Sequence, residues 1–276
     1  MNLAAVDRYI SKVITSESQT FPFPEDTKLK VGVDLGTAYI VIVVLDEKDN
    51  PIACEKRAAR VLRDGVVVDY VGACSIVKEL KAKLEERIGT ELTECAIAMP
   101  AGTESSVKTH MYVVENSGMR VIRILDEPTA ANAIYKITDG AIVDIGGGTT
   151  GLAIFKDGKV IRTEDEATGG YHLSLVLAGS MEITLDEAEQ IKMNYARHQE
   201  ILPVIRPVIE KMAAITKKYI DPEETKTVYL CGGTCCMTNI EKIFEKQLGI
   251  TTVKATDPFL VTPTGIAVNC VPETEQ

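Results

Sequence analysis

Asp34 and Asp144 stand 110 residues apart in nearly the same surroundings. Asp34 begins "DLGTAYIVIVVL" and Asp144 begins "DIGGGTTGLAIF"; at that shift Gly36 falls on Gly146 and Val44 on Ile154 without a gap. In each copy an apolar run ends in the aspartate, a glycine turn follows, and a second apolar run leads away. A carboxylate at the end of a buried strand is costly unless it is paired. A turn whose backbone N–H groups converge makes a nest for an anion. Glycine allows φ > 0 there and removes the Cβ that would block close approach. The hydroxyls of Thr37, Thr149 and Thr150 add donors at the same rim. Two such loops facing each other would grip a polyphosphate. A hydrated Mg²⁺, which takes one or two carboxylates together with phosphate oxygens, would supply the partner that Asp34 and Asp144 need. A lone D-x-G is more often a turn cap; two copies at matched positions favour the metal and phosphate reading.

The elements that must position these groups follow from patterning. "KVGVDLG", "AYIVIVVLDEKDN" and "PIACEKRAA" read as three strands with a turn at Asp49-Asn50. A short strand is expected at 66–72 and an amphipathic helix at 75–88, carried by Ile76, Leu80, Leu84 and Ile88. "CAIAMP" is a buried strand. A helix follows at 103–117 with Thr103 as N-cap and Gly118 at its end. "MRVIRIL" is a strand, and "EPTAANAIYK" opens a helix with Pro128 in its first turn. Beyond Gly140 the strand–glycine–strand arrangement returns, with "GKVIRTEDEAT" as third strand. Helices are expected at 170–179, 185–200 and 203–219, then a strand at "TVYLCGG", a helix at "NIEKIFEKQLG", a strand at "ITTVKA" and a last short helix from Thr262-Pro263. Ahead of all this, Leu3, Val6, Ile10, Val13 and Ile14 make a helical stripe over 2–16, and Pro22 and Pro24 mark a linker. Mixed elements and a tandem repeat argue for two related α/β lobes. The expected divisions are 1–29 for the leading helix and linker, 30–138 for lobe I with a return at 258–276, and 139–257 for lobe II.

Bulk properties bound the function. The 276 residues carry a net charge of −10, which argues against a nucleic-acid partner. The longest apolar stretch, around Tyr39 to Leu45, is far short of the roughly 20 residues of a membrane span. Asp7, Arg8 and Lys12 interrupt any signal-peptide core, so a cytoplasmic protein is expected. Of the seven cysteines, Cys54, Cys74 and Cys95 sit in apolar segments and read as small buried hydrophobes. Cys231, Cys235 and Cys236 do not have the C-x2-C spacing of metal sites, and His110, His172 and His198 form no ligand-like pair.

Five motifs in order resemble the actin-like ATPase superfamily, which includes DnaK-type chaperones, actin and bacterial filament proteins. "DLGTAY" at 34–39 and "DIGGGTTG" at 144–151 are similar to its two phosphate loops. "DEPTAANAI" at 126–134 and "TDPFLVTPTGIAV" at 256–268 are similar to its connecting segments, and "LCGGTCCM" at 230–237 to its adenosine loop. The resemblance covers about 30–270. It implies a duplicated ribonuclease-H-like fold, two lobes around a nucleotide cleft, with ATP or ADP and Mg²⁺ as cofactors. Asp34 and Asp144 would hold Mg²⁺ through water. Gly36, Thr37, Ala38, Gly146, Gly147, Gly148 and Thr149 would bind phosphates, and Glu127 would position the ion and the attacking water. Thr149 joins Asp34, Glu127 and Asp144 in the implied catalytic set. Gly169 and Gly170 match a glycine pair near the phosphates. Gly232 and Gly233 would let the backbone lie along adenosine, and Glu189 and Lys192, on one helix face at i, i+3, would flank base and ribose. An exposed salt bridge is the alternative for that last pair.

Length, the leader and the wording of three motifs are also similar to the EutJ family of ethanolamine utilisation, which is called chaperone-like and accompanies bacterial microcompartments. This implies a nucleotide-switched assembly factor acting on protein clients, either ethanolamine-utilisation enzymes or shell proteins, without membrane contact. Departures are specific. Lys78 is the nearest candidate for the chaperones' γ-phosphate lysine but does not align cleanly. Cys236 replaces an arginine that stacks on adenine. Only about 60 residues separate the first phosphate loop from "CAIAMP", so the outer subdomains are reduced, and the chain ends at Gln276 with no peptide-binding domain. A filament or scaffold protein and a small-molecule kinase are the other readings.

Overall fold

The computed structural model describes residues 2–63, 65–100 and 106–271. The chain divides into two compact units, Met1–Lys136 with Leu260–Gln276, and Ile137–Phe259. In the first, α1 (Leu3–Thr15) is capped by Asn2, whose side chain accepts the Ala5 N–H. Its buried stripe of Val6, Ile10 and Val13 packs on β3 (Pro51–Ala58). Arg87 fastens the segment after the helix, donating to the carbonyls of Ser16, Glu17 and Cys54 and pairing with Glu55. The leading helix is therefore held on its own unit.

Around β1 (Lys30–Leu35) the sheet takes shape. β2 (Tyr39–Leu45) runs antiparallel beside it and β3 antiparallel beside β2, and β6 (Glu94–Met99) and β7 (Arg120–Asp126) continue the sheet in parallel on the other side of β1. β4 (Leu62–Arg63) and β5 (Val66–Val67) make a separate two-stranded ribbon. The strand expected at 66–72 is therefore cut short, and α2 (Tyr70–Ile88) begins five residues before the periodicity suggested. The reason is local: the Asp69 carboxylate accepts the Gly72 N–H and caps the helix. α3 (Val107–Glu115) and α4 (Glu127–Tyr135) follow. Thr103, expected as an N-cap, lies outside the described residues.

The second unit repeats the plan. β8 (Gly140–Ile145), β9 (Thr150–Lys156), β10 (Lys159–Glu166), β11 (Thr227–Cys231) and β12 (Thr251–Lys254) form a sheet of order β10-β9-β8-β11-β12. Third, second, first, fourth, fifth is also the order of the five main strands of the first unit. Even the register repeats: Asp34 lies opposite Val41 and Asp144 opposite Gly151, both steps of 110 residues. The helices are α5 (Gly170–Met181), α6 (Leu185–Met193), α7 (His198–Tyr219) and α8 (Ile240–Leu248). The helix expected at 185–200 ends at Met193, and Asn194 caps a 3-10 turn at Tyr195–Arg197. α7 then runs through Pro203 and Pro207. Ile201, Ile205, Ile209, Met212, Ala213 and Thr216 form one buried stripe, and that packing outweighs the two lost backbone hydrogen bonds.

α9 (Val261–Val268) returns to the first unit and lies against β1 and α4. Two glycines permit this approach. A methyl on Gly265 would fall on the Ala130 carbonyl, and one on Gly32 would come 2.8 Å from both the Ala267 Cα and the Pro263 oxygen. We predict that Gly265→Ala destabilises the protein by about 1–3 kcal/mol through overpacking. Denaturant unfolding of the variant measures this; an unchanged midpoint would show that α9 does not need the close approach.

Candidate functional site

In the Ile137–Phe259 unit the loop after β8 is built from backbone hydrogen bonds. Gly146 N–H donates to the Thr149 carbonyl at 3.1 Å and closes the turn. The Gly146 carbonyl accepts from Gly170 N–H at 2.9 Å and from Thr234 Oγ1 at 2.7 Å, and the Gly147 carbonyl accepts from Tyr171 N–H at 2.8 Å. The loop's carbonyl dipoles are thus turned into the protein, away from a rim where they would repel an anion. Gly169 and Gly170 serve this arrangement directly. A methyl on Gly169 would come 2.6 Å from the Gly148 carbonyl carbon, and one on Gly170 would strike Thr234 Oγ1. These two glycines are needed for contact between protein segments.

Asp144 is buried beside this loop, opposite Cys231 in the parallel pair β8/β11. Gly232 follows β11 at φ +90°, and a methyl there would meet Asp144 Oδ1 and lie 2.6 Å from the Ile145 carbonyl. Gly233 opens a 3-10 turn, Gly233–Cys236, with the Phe259 ring 3.2 Å from where its methyl would be. Thr149 is also buried. The hydroxyl of Thr150, expected at the rim, donates instead to the Thr168 carbonyl at 2.6 Å and holds the segment leading to Gly169. That expectation is corrected by the strand itself, which buries Thr150 at its first position.

Glu189 and Lys192 are in contact, 2.7 Å apart, as the salt-bridge alternative held, but the pair is largely buried and tied to α5. Lys192 Nζ donates to the Gly170 carbonyl at 3.0 Å, and Ser174 Oγ donates to Glu189 at 2.6 Å. Burial lowers the Lys192 pKa, against the opposing pull of Glu189. One network therefore joins the pair, α5 and the Gly146 loop.

Sequence reasoning missed the residues that hold the 3-10 turn. Lys254 donates to the carbonyls of Cys235 and Met237, at 2.7 and 3.0 Å. His198 accepts the Thr238 N–H at Nδ1 and meets the Lys192 carbonyl at Nε2, at 3.1 and 2.8 Å. A backbone N–H can only donate and a carbonyl can only accept, so His198 is neutral with its proton on Nε2. An isolated histidine and lysine carry no spacing signal; only Thr234, next to the glycine pair, was open to inspection. Burial pushes the Cys236 thiol up to about 11, which keeps it protonated and unreactive.

In the first unit, Asp34 stands on β1, and a methyl on Gly36 would be 2.7 Å from the Tyr39 carbonyl, so the tight turn itself requires glycine. Thr37 and Ala38 complete that turn, and the Ala38 carbonyl accepts from Ala59 N–H. β1, β6 and β7 are parallel, so Asp34 and Glu127 both stand near the carboxyl edge of this sheet, where α/β sheets commonly bind ligands. Glu127 is the first residue of α4, just after Asp126, which caps the helix through Thr129 N–H. Lys78 lies exposed on α2. Among the described residues no helix is long and apolar enough to cross a membrane.

Comparison with known proteins agrees with this architecture. The family model of the MreB/Mbl protein matches residues 53–198, and that of the cell division protein FtsA matches 141–267. The ethanolamine utilization protein EutJ of Salmonella typhimurium is 43% identical over 226 residues, 82% of this chain and 80% of that protein. The crystal structure of EutJ from Carboxydothermus hydrogenoformans is 45% identical, with a TM-score of 0.90 over 97% of this chain and 99% of that one. MreB5 of Spiroplasma citri bound to AMPPNP is 19% identical, with a TM-score of 0.70 over 88% and 95% of the two chains, a likeness of fold. The fold is that of the actin-like ATPases.

Burial, with Lys254 nearby, lowers the His198 pKa from its ordinary 6.5. The unfolded chain therefore takes up this proton more readily than the folded one. Stability from His198 is whole above about pH 6.5 and is lost as pH falls through the folded value. Thermal melts between about pH 7.5 and 5 should show a steeper loss for the wild type than for His198→Gln. Equal slopes would remove His198 from the network.

Proposed function

Because this chain belongs to the EutJ family of ethanolamine utilization proteins and has the actin-like ATPase fold, we propose that it is a nucleotide-switched, chaperone-like assembly factor. Its nucleotide is ATP or ADP, its ion Mg²⁺, and its clients are enzymes or shell proteins of ethanolamine utilisation, in the cytoplasm at the microcompartment. The observation that carries the reading is the repeated register, which gives each unit an aspartate and a glycine turn at equivalent places.

The residues suit the ion. Asp144 is 4% exposed and faces Gly232, where a Cβ would fill the space at its oxygen. Carboxylate oxygens are hard donors of the kind Mg²⁺ takes. Bound with the triphosphate, the ion would neutralise charge on the phosphate oxygens. Asp34 and Asp144 would hold it through water. Glu127 would orient the attacking water. Gly36, Thr37, Ala38, Gly146, Gly147, Gly148 and Thr149 would bind phosphates by backbone and hydroxyl donors. Gly232, Gly233, Glu189 and Lys192 would border the nucleoside. α5 links the phosphate loop to the rest of its unit, because Gly170 and Tyr171 donate to the loop carbonyls. A loop displaced by nucleotide would move that helix, and a client would read the movement.

The MreB/Mbl match favours a second reading, a nucleotide-dependent scaffold of copies of this chain. Nucleotide-dependent light scattering separates the two.

Thermal shift tests the common premise. MgATP at about a hundredfold over its dissociation constant should stabilise the wild type by about 2.7 kcal/mol. Asp144→Asn and Gly232→Ala should lose most of that shift. A wild-type melt indifferent to ATP and ADP at every concentration would end the reading.

A further inference from the structure

Five exposed apolar side chains of the first unit gather at one place: Val66, Val68, Tyr70, Val71 and Tyr112. Four of them fall within six consecutive residues. The alternation of a strand explains the start of the run, since Val67 packs inward on the core while Val66 and Val68 point out. Val68 and Asp69 N–H both donate to the Val61 carbonyl, which brings the end of the ribbon onto the start of α2. There Tyr70 opens α2, which packs against α3, the helix that carries Tyr112. Val71 is 77% exposed and Val68 58%. Single exposed apolar residues are ordinary; a gathered set marks a surface that something covers.

Three exposed cations of the described residues stand around this set. Arg63 lies opposite Val66 in the ribbon. Lys78 is seven residues beyond Val71 on the same exposed face of α2, with exposed Ser75 between them. Lys108 is four residues before Tyr112 on α3, also exposed. Of the described acids nearby, Asp69 is engaged in capping α2, Glu79 of α2 pairs with Arg57 and Lys83, and Glu85 with Lys81. Among the described residues no ion pair is formed by Arg63, Lys78 or Lys108. A chain of net charge −10 thus presents an apolar strip edged with cations.

From this juxtaposition we infer that the strip is a docking site for an acidic amphipathic segment of a partner protein, one that lays apolar anchors on Val71, Val68 and Tyr112 and sets its carboxylates against Arg63, Lys78 and Lys108. An uncharged partner would leave the three cations without partners at its edge, and a basic one would be repelled. The inference does not depend on nucleotide binding, and its test uses none.

The probe is a fluorescent helix-forming peptide with a leucine stripe flanked by glutamates, titrated into the full chain by anisotropy. A second peptide carries lysines in place of the glutamates. The glutamate peptide should bind at least about tenfold more tightly. Val71→Asp, at an exposed position that leaves the fold intact by circular dichroism, should weaken it about tenfold. The pair Lys78→Glu and Lys108→Glu should weaken it and flatten its salt dependence. No binding of the glutamate peptide, equal binding of both peptides, or indifference to Val71→Asp overturns the inference. So does sedimentation with phosphatidylglycerol vesicles that Val71→Asp abolishes, which would assign the strip to a membrane.

Discussion

The structure of the candidate site depends on where the carbonyls of Gly146 and Gly147 point. Three donors from two other segments, Gly170 N–H, Tyr171 N–H and Thr234 Oγ1, take them. A turn of this kind binds anions only if its oxygens are removed from the rim, because an unpaired carbonyl beside a phosphate is repulsive. The donors must therefore come close, and closeness dictates much else. It requires Gly169 and Gly170 to lack side chains, Thr150 to hold the segment that precedes them, and Ser174 and Lys192 to fix α5 from behind.

This changes the meaning of the glycines. Conformational freedom explains Gly232, whose φ is positive. Gly32, Gly169, Gly170 and Gly265 are needed for a different reason, the approach of one backbone to another. The protein spends its glycines on internal contacts that aim the loops, as much as on space for a ligand. The network behind them extends to His198 and Lys254, which tie α6 and the Gly233–Cys236 turn together through backbone carbonyls. Neither residue need touch a ligand to matter to one.

Much of the fold is legible in the sequence. Paired apolar runs, the first of each pair ending in Asp-x-Gly, marked β1, β2, β8 and β9, and the gapless repeat agrees with the equal registers, because a shift of one residue would turn every side chain to the opposite face. Where local signals conflicted with packing, the reading went astray. The helix expected at 203–219 starts five residues earlier, at His198, and passes through Pro203 because its apolar stripe is buried along its length. Residues 66–72 looked like a strand, yet a single cap at Asp69 turns the second half into helix.

The repeat, the two aspartates, the glycine turns and the order of the five motifs are all written in residue types and their spacing along the chain. Which segment faces which is a result of folding: Gly169 and Gly170 press on the Gly146 loop, Thr150 turns inward, Glu189 and Lys192 bind each other and α5, and Lys254 reaches the carbonyls of Cys235 and Met237. Those are contacts between residues many positions apart. A one-dimensional pattern carries the preference of a residue for burial or for a turn, but the partner it finds there is set by the packing of the whole unit.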